Sequence, residues 1–257
     1  MEIQTQTFQA ERPGATIRGI EFRPEGRDLP VAIVCHGFLG TYESTRHYAL
    51  WLARQGFAAY CFDFVGGDVA SHSGGRLQDM TVLTEKADLY AVMDYVSALP
   101  YTDPGRMTLM GCSQGGFVCA LAAAERPEAV SRLILLYPAL CIPDNARAGR
   151  MLFYSFDPHN IPDALGDAPR VLGGDYVRAV IHMDAYEAIR GYPGPVLLIH
   201  GAEDPIVPVS YAHRAKAVYG DACTLRILPH AGHGFREQDD QIAFPMIREF
   251  LTAHDRR

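Results

Sequence analysis

The segment Gly111–Gly116, with the sequence GCSQGG, could supply a serine nucleophile. An apolar run at 107–110 precedes it and small residues with a helical pattern follow at 117–125, so the motif G-x-S-x-G lies between a predicted strand and a predicted helix. Glycine suits this sharp turn because larger residues would collide with neighbouring backbone. Ser113 would project above the sheet edge, beside helix N–H groups that suit an anionic intermediate. An ordinary glycine-rich turn is the alternative interpretation.

A serine hydroxyl becomes an effective nucleophile only when a base takes its proton and a third group orients that base. Asp204 follows the apolar run 195–200, and His233 follows the run 224–228. Each of these residues alone would be interpreted as a turn former or a solvated loop residue. In the chain order serine, acid, histidine, each after its own strand, they predict a triad of Ser113, Asp204 and His233.

Each of the two triad partners has a competitor nearby. Glu203 precedes Asp204, but the Asp-Pro sequence at 204–205 fixes the turn backbone and favours Asp204. His230 lies close to His233, but the glycines on both sides of His233 let the chain bend back towards the serine. If Glu203 or His230 occupied these places, the assignment would change and the enzyme class would remain.

Acyl transfer also needs hydrogen-bond donors for the developing oxyanion. The backbone N–H of Gln114, directly after the serine, is one candidate. The other should come from the loop HGFLG at 36–40, after a buried apolar run, which points to the backbone N–H of Phe38. His36 in this loop is interpreted as a structural brace. Cys112 is expected to face the core.

Composition excludes several classes of function. The 257 residues carry a formal net charge of −7 at pH 7, without a basic stripe to bind nucleic acid. No segment approaches the ~20 apolar residues of a membrane span, and the polar N-terminus lacks the apolar core of a signal peptide. Six scattered cysteines show no metal-binding spacing. We therefore expect a cytoplasmic protein with no metal, no cofactor, and neither nucleic acid nor membrane as a partner.

The elements that must position these residues alternate along the chain. Two alternating segments at 2–8 and 16–23 predict an opening antiparallel pair. Continuous apolar runs after them alternate with helical patterns, which is typical of a mostly parallel sheet with helices on both faces. A closing helix should contain Pro245 in or near its first turn, or be kinked by it.

The alternation stops between residues 139 and 190, where prolines and glycines interrupt the pattern. It resumes with the strand at 195–200. We interpret residues 1–138 and 191–257 as an α/β core and residues 139–190 as a small inserted cap over the carboxyl edge of the sheet, where such folds bind ligands.

These motifs resemble the α/β-hydrolase superfamily from about residue 31 to the C-terminus, and several are similar to bacterial feruloyl (cinnamoyl) esterases. The similar stretches are HGF at 36–38, FDF at 62–64, MTVL at 80–83, GCSQGG at 111–116, DPHNIPD at 157–163, LGGDY at 172–176 and the segments around His200 and His233. The resemblance implies the α/β-hydrolase fold and a serine carboxylesterase that releases hydroxycinnamic acids from small-molecule or polysaccharide esters.

The resemblance also implies substrate-binding residues in the cap. Tyr176 matches the family's cap tyrosine, and Asp144 lies within a residue of the family's cap carboxylate. Either could bind the para-hydroxyl of a phenolic acid, whereas packing of Tyr176 within the cap and a turn at Asp144 are the alternatives. The chain departs from the family at Cys112, where histidine is usual, and in the loop VGGDVAS at 65–71. The loop could reshape the pocket entrance.

Other functions share the serine motif. A serine peptidase of the prolyl-oligopeptidase type usually carries a large additional domain, for which 257 residues leave no room. An acyltransferase is an alternative, and a lipase would need a more apolar lid than residues 143–174 offer. A ligand-binding receptor on the same scaffold would typically lack a triad member. The partner expected for the leading hypothesis is a small-molecule ester, and the oligomeric state is left open between a monomer and a homodimer.

Overall fold

The computed structural model describes residues 2–255, which form twelve strands and eight α-helices. The strands are β1 (Ile3–Arg12), β2 (Ala15–Pro24), β3 (Leu29–Cys35), β4 (Ala58–Asp63), β5 (Thr102–Cys112), β6 (Arg132–Leu136), β7 (Arg150–Met151), β8 (Tyr154–Ser155), β9 (Ala164–Leu165), β10 (Leu172–Gly173), β11 (Val196–Gly201) and β12 (Cys223–Leu228). The helices are α1 (Arg46–Arg54), α2 (Val82–Ser97), α3 (Gln114–Glu125), α4 (Ile142–Arg147), α5 (Gly174–Arg178), α6 (Ala185–Ile189), α7 (Ser210–Tyr219) and α8 (Glu237–Ala253).

Eight of the strands form one sheet in the order β1-β2-β4-β3-β5-β6-β11-β12. The pairs β1–β2 and β2–β4 are antiparallel, and every later pair in this order is parallel. The mostly parallel sheet and its opening antiparallel pair are thus confirmed. Parallel strands end at the same edge, so the loops after β3, β5, β11 and β12 meet there.

The sheet is buried on both faces because its side chains alternate between two apolar clusters. Along β5, for example, Leu109 packs into the cluster that contains α2 and α3, and the next residue, Met110, packs into the cluster that contains α1 and α8. In an extended strand, successive side chains point to opposite faces of the sheet. The predicted helices on both faces of the sheet are therefore present.

Residues 139–190 contain α4, α5, α6 and two short antiparallel strand pairs, β7–β8 and β9–β10, which do not join the main sheet. Buried side chains of this segment, including Tyr154, Leu172 and Val180, belong to the same apolar cluster as α2 and α3. The segment is therefore packed continuously onto one face of the core. Its assignment as a separate cap domain stays a prediction.

Pro245 lies inside α8, near its middle, and the expectation that it would occupy the first turn is wrong. The helix tolerates it because proline removes only one donor, and the carbonyl that loses its partner is that of Gln241. Both residues are exposed, so water can solvate that carbonyl. Within residues 2–255, none of the helices is long and apolar enough to cross a membrane.

Candidate active site

Ser113 lies at the junction between the end of β5 and the start of α3, as the motif predicts. Its backbone has φ 54° and ψ −120°, a region that side-chain-bearing residues rarely occupy. The surrounding sheet holds this conformation, since the Ser113 N–H donates to the carbonyl of Leu136 at 3.0 Å and the Ser113 carbonyl accepts from Ala139 N–H at 2.9 Å. The strained turn therefore presents the hydroxyl at the carboxyl edge of the sheet.

The glycines of the motif are required by close backbone contacts. A Cβ at Gly111 would lie 2.3 Å from the carbonyl oxygen of Gly115, and a Cβ at Gly115 would lie 2.3 Å from the carbonyl oxygen of His36. Either position must lack a side chain for β5, α3 and the loop after β3 to approach this closely. The predicted reason for these glycines is confirmed.

His233 connects Ser113 with Asp204. Its Nε2 lies 2.8 Å from Ser113 Oγ, and its Nδ1 lies 2.8 Å from Asp204 Oδ2. A carboxylate can only accept, so Nδ1 carries the proton and Nε2 is left to accept from the serine hydroxyl. The ring also packs edge-on against Tyr137, with centroids 5.1 Å apart, which limits its rotation. The structure therefore brings the three predicted residues together in hydrogen-bonding order.

Asp204 is held as an acceptor by its own turn. Its Oδ1 accepts from the backbone N–H groups of Ile206 at 2.9 Å and Val207 at 2.8 Å. Burial alone would raise the pKa of Asp204, but the hydrogen bonds from His233 and from these two N–H groups outweigh it, and the pKa lies below its ordinary value. The carboxylate therefore stays ionised while it orients the imidazole.

His200 lies behind this carboxylate and is fully buried. Its Nε2 donates to the carbonyl of Val207 at 2.8 Å and lies 3.5 Å from Asp204 Oδ2. Burial lowers the pKa of His200, although the carbonyl bond and the nearby carboxylate act in the opposite direction. The ring therefore serves as a neutral support for the turn.

The two competing residues form a separate pair on the surface. Glu203 Oε1 lies 3.3 Å from His230 Nδ1, and their side chains are 65% and 90% exposed. The Asp204 side chain, in contrast, is fully buried and that of His233 is 14% exposed. Glu203 and His230 contact each other, whereas the hydrogen bond to Ser113 comes from His233.

Two backbone N–H groups lie beside the serine without a hydrogen-bond acceptor among residues 2–255. They belong to Phe38 and Gln114, and both residues line a cavity with Ser113. His36 shapes the first of these loops, since its Nε2 accepts from Phe64 N–H at 3.1 Å and its Nδ1 donates to the Gly37 carbonyl at 2.8 Å. Burial lowers the pKa of His36, so it remains a neutral brace, as predicted.

A family model described as the alpha/beta hydrolase fold matches residues 30–160, slightly more than half of the 257 residues. The chain belongs to the α/β-hydrolase family. The fold predicted from the sequence is confirmed, and the family supports an esterase-like hydrolase.

Several known proteins are similar to this hydrolase over most of its length. The structure of Est1E from Butyrivibrio proteoclasticus with bound ferulic acid has a TM-score of 0.88 and 29% identity, covering 96% of this chain and 98% of that one. An uncharacterised protein of Mycobacterium tuberculosis is 27% identical over 88% of this chain and 71% of its own length. Pyrrolizixenacetamide deacetylase from Xenorhabdus hominickii is 22% identical, over 88% of this chain and 92% of its own length.

A cavity of about 150 Å³ adjoins the serine of this hydrolase. Its lining combines the residues beside Ser113 with apolar residues of the 139–190 segment, namely Phe38, Ser113, Gln114, Ala139, Cys141, Ile142, Asn145, Met151, Leu152, Tyr176, Ile206 and His233. The wall is therefore mostly apolar, and its polar members besides Ser113 and His233 are Tyr176, Gln114 and Asn145. Such a cavity suits the apolar part of a small ester.

Tyr176 and Asp144, the two predicted substrate-binding residues, have different positions. Tyr176 lines the cavity, and its hydroxyl donates to Gln114 Oε1 at 2.5 Å, so it is not packed only within its own segment. Asp144 does not line the cavity. Its carboxylate accepts from Arg147 at 2.5 Å and from the Tyr211 hydroxyl at 2.8 Å, whereas the lining residue at this turn of α4 is the next one, Asn145.

Sequence reasoning did not identify Glu85, whose side chain contacts Gln114. Glu85, on α2, accepts from Gln114 Nε2 at 2.7 Å and is buried in the core. The thiol of Cys112 is also buried, as predicted, and burial raises its pKa to about 12. Within residues 2–255, there is no cluster of histidine, cysteine and acidic side chains that could hold a metal ion.

Proposed function

We propose that this hydrolase is a serine carboxylesterase that cleaves esters of small acids, hydroxycinnamic acids above all, through an acyl-enzyme intermediate. The observation that carries the proposal is the position of His233, whose two ring nitrogens contact Ser113 and Asp204 at 2.8 Å each. This order of hydrogen bonds lets one imidazole take a proton from the serine while a buried carboxylate stabilises the resulting cation.

In the first half of the proposed reaction, Ser113 Oγ attacks the ester carbonyl carbon and His233 Nε2 takes the hydroxyl proton. The N–H groups of Phe38 and Gln114 donate hydrogen bonds to the negatively charged oxygen that develops from the carbonyl. Each such donor contributes about 2.7–4 kcal/mol to transition-state stabilisation in comparable sites. Collapse of the intermediate breaks the bond to the alcohol, which leaves with the proton from His233.

In the second half, His233 takes a proton from water, and the hydroxide equivalent attacks the acyl carbon bound to Ser113. The same oxyanion donors act again. Collapse of the second intermediate releases the acid and returns the proton to the serine oxygen. Only neutral imidazole acts as the base, because the protonated ring has no free lone pair on Nε2.

The acyl part is proposed to occupy the cavity lined by Tyr176. Three observations support a phenolic acid: the mostly apolar wall, the tyrosine hydroxyl within it, and the similarity to a structure that contains ferulic acid. A substrate para-hydroxyl that found no partner there would cost about 1–3 kcal/mol. Asp144 is left out of this proposed binding site because Arg147 and Tyr211 hold its carboxylate outside the cavity lining.

The contribution of Tyr176 can be measured with two substrates, methyl ferulate and its analogue without the para-hydroxyl. Tyr176→Phe should reduce the wild-type preference for methyl ferulate by about 0.5–1.5 kcal/mol in kcat/KM, the net value of one hydrogen bond. Equal losses on both esters would show instead that Tyr176 only supports the wall of the cavity.

The reaction itself is tested with Ser113→Ala. This variant should keep the fold, measured by circular dichroism and melting temperature, and lose nearly all turnover of methyl ferulate and p-nitrophenyl acetate. Ser210→Ala, at an exposed position at the start of α7, is the matched control and should retain wild-type rates. Unchanged turnover in Ser113→Ala would refute the proposed nucleophile. Absence of turnover in the wild type would favour the non-catalytic ligand-binding alternative.

A further inference from the structure

A buried hydrogen-bonded chain joins α2 to the cavity wall. Glu85, in the first turn of α2, is 1% exposed, and its Oε2 accepts from Gln114 Nε2 at 2.7 Å. Gln114 Oε1 in turn accepts from the Tyr176 hydroxyl at 2.5 Å. Gln114 and Tyr176 both line the cavity that contains Ser113. Glu85 therefore contacts that wall from behind, without reaching the substrate space itself.

Among residues 2–255, the carboxyl of Glu85 has few polar partners besides Gln114. Within residues 2–255 its Oε1 has no hydrogen-bond partner, and no cation forms an ion pair with it. Burial raises the pKa of Glu85 to about 8, against the hydrogen bond from Gln114 that lowers it. When the carboxyl is protonated, the proton lies on Oε1, because Oε2 is the oxygen that accepts from Gln114. A buried polar atom without a partner destabilises the fold. The remaining oxygen acts on Gln114 alone.

The contacts of the Gln114 side chain set the direction of the hydrogen bonds that run from α2 to Tyr176. The amide of Gln114 has one end that donates and one that accepts. The NH₂ end faces α2, because Nε2 lies 2.7 Å from Glu85 Oε2 and 3.8 Å from the sulfur of Met80, which can only accept. The carbonyl end must then face Tyr176, whose hydroxyl hydrogen is used in donating to it. Tyr176 can therefore offer only lone pairs to a bound molecule.

We propose that Glu85 is a positioning residue that fixes this direction, and that the wall at Tyr176 consequently selects acyl groups that bring their own hydroxyl hydrogen. The inference rests on the proposed function, since it concerns the acyl cavity of the same site. A para-hydroxycinnamoyl group supplies a donor to the Tyr176 oxygen. A para-methoxycinnamoyl group of similar shape supplies only an acceptor, which would face another acceptor.

The experiment compares methyl 4-hydroxycinnamate with methyl 4-methoxycinnamate in the wild type, Glu85→Gln and Glu85→Leu. The wild type should prefer the hydroxy ester by about threefold to tenfold in kcat/KM, chiefly through KM. Glu85→Gln keeps a side-chain oxygen that accepts from Gln114 and should keep the preference. Glu85→Leu lets the Gln114 amide turn, so that Tyr176 can donate to the methoxy oxygen, and the preference should fall to about one.

A binding measurement separates this inference from the esterase proposal. The dissociation constants of the two free acids are measured by calorimetry in the Ser113→Ala background, with and without each Glu85 substitution. An unchanged hydroxy-to-methoxy ratio in Glu85→Leu would overturn the positioning role, and so would equal losses on both ligands in both Glu85 variants. Failure of both variants to fold would assign the carboxyl to folding and also overturn it. If the wild type hydrolysed no ester while the hydroxy-to-methoxy ratio of dissociation constants still changed in Glu85→Leu and not in Glu85→Gln, that result would refute only the esterase proposal.

Discussion

Two acid–imidazole pairs lie side by side in this protein, and only one of them contacts the serine. Asp204 and His233 are mostly buried and lie 2.8 Å apart, whereas Glu203 and His230 are exposed and lie 3.3 Å apart, although Glu203 and Asp204 are chain neighbours. Exposed pairs contribute about 0–1 kcal/mol because water competes for both charges. The comparison indicates that burial and the two backbone donors to Asp204, rather than the residue types, make the inner pair suitable for catalysis.

Replacing the two histidines in parallel should give the largest difference between the pairs. His233→Ala removes the only base that contacts Ser113 within residues 2–255 and should lower kcat for methyl ferulate by a factor on the order of 10⁶. His230→Ala should leave kcat within about twofold, since it removes only an exposed pair. Comparable losses in the two variants, each with a native circular dichroism spectrum, would contradict the distinction.

Replacing the two acids should give the next largest difference. In Asp204→Asn an amide NH₂ can replace the acceptor oxygen, and His233 is then no longer held with its proton on Nδ1. We expect kcat to fall by a factor on the order of 10⁴. Glu203→Gln should leave the rate within about twofold. A large loss in Glu203→Gln with little loss in Asp204→Asn would show that the outer carboxylate orients the base.

The smallest expected effect is on the pH dependence of stability. The folded-state pKa of Asp204 is depressed, so its ionised form stabilises the native state above the unfolded-state value of about 3.9. That stabilisation is lost as the pH falls through the folded-state value. Asp204→Asn should therefore lose less unfolding free energy than the wild type on acidification in urea titrations, and the exposed Glu203→Gln should follow the wild type. Parallel curves for wild type and Asp204→Asn would contradict the depressed pKa.

The arrangement of the inner pair could be anticipated because its signals are local. The strand–serine–helix motif requires close backbone packing that only Gly111 and Gly115 allow. Asp204 follows a strand with a plain apolar run, and His233 follows the next strand along the chain. Parallel strands then bring Asp204 and His233 to the edge that carries Ser113.

The wall of the cavity beside Ser113 could not be derived in the same way. Most of its residues come from the irregular segment 139–190, and at α4 it is Asn145 rather than Asp144 that lines the cavity. No periodic pattern fixes the phase of a helix as short as Ile142–Arg147. The sequence did not indicate a buried position for Glu85, because a single acidic residue on a helix such as α2 is ordinarily solvent-exposed. Its partner Gln114 also lies on another helix, far along the chain.

The labelling of Ser113 by a fluorophosphonate, with the modified residue mapped by mass spectrometry, tests the central claim most directly. The account predicts one label per chain, on Ser113, at equal rates in the wild type and Glu203→Gln, and at a rate lower by orders of magnitude in Asp204→Asn. Labelling of a different residue would contradict the account. Equally rapid labelling of Ser113 in Asp204→Asn and the wild type would also contradict it, since the buried pair would then have no part in activating the serine.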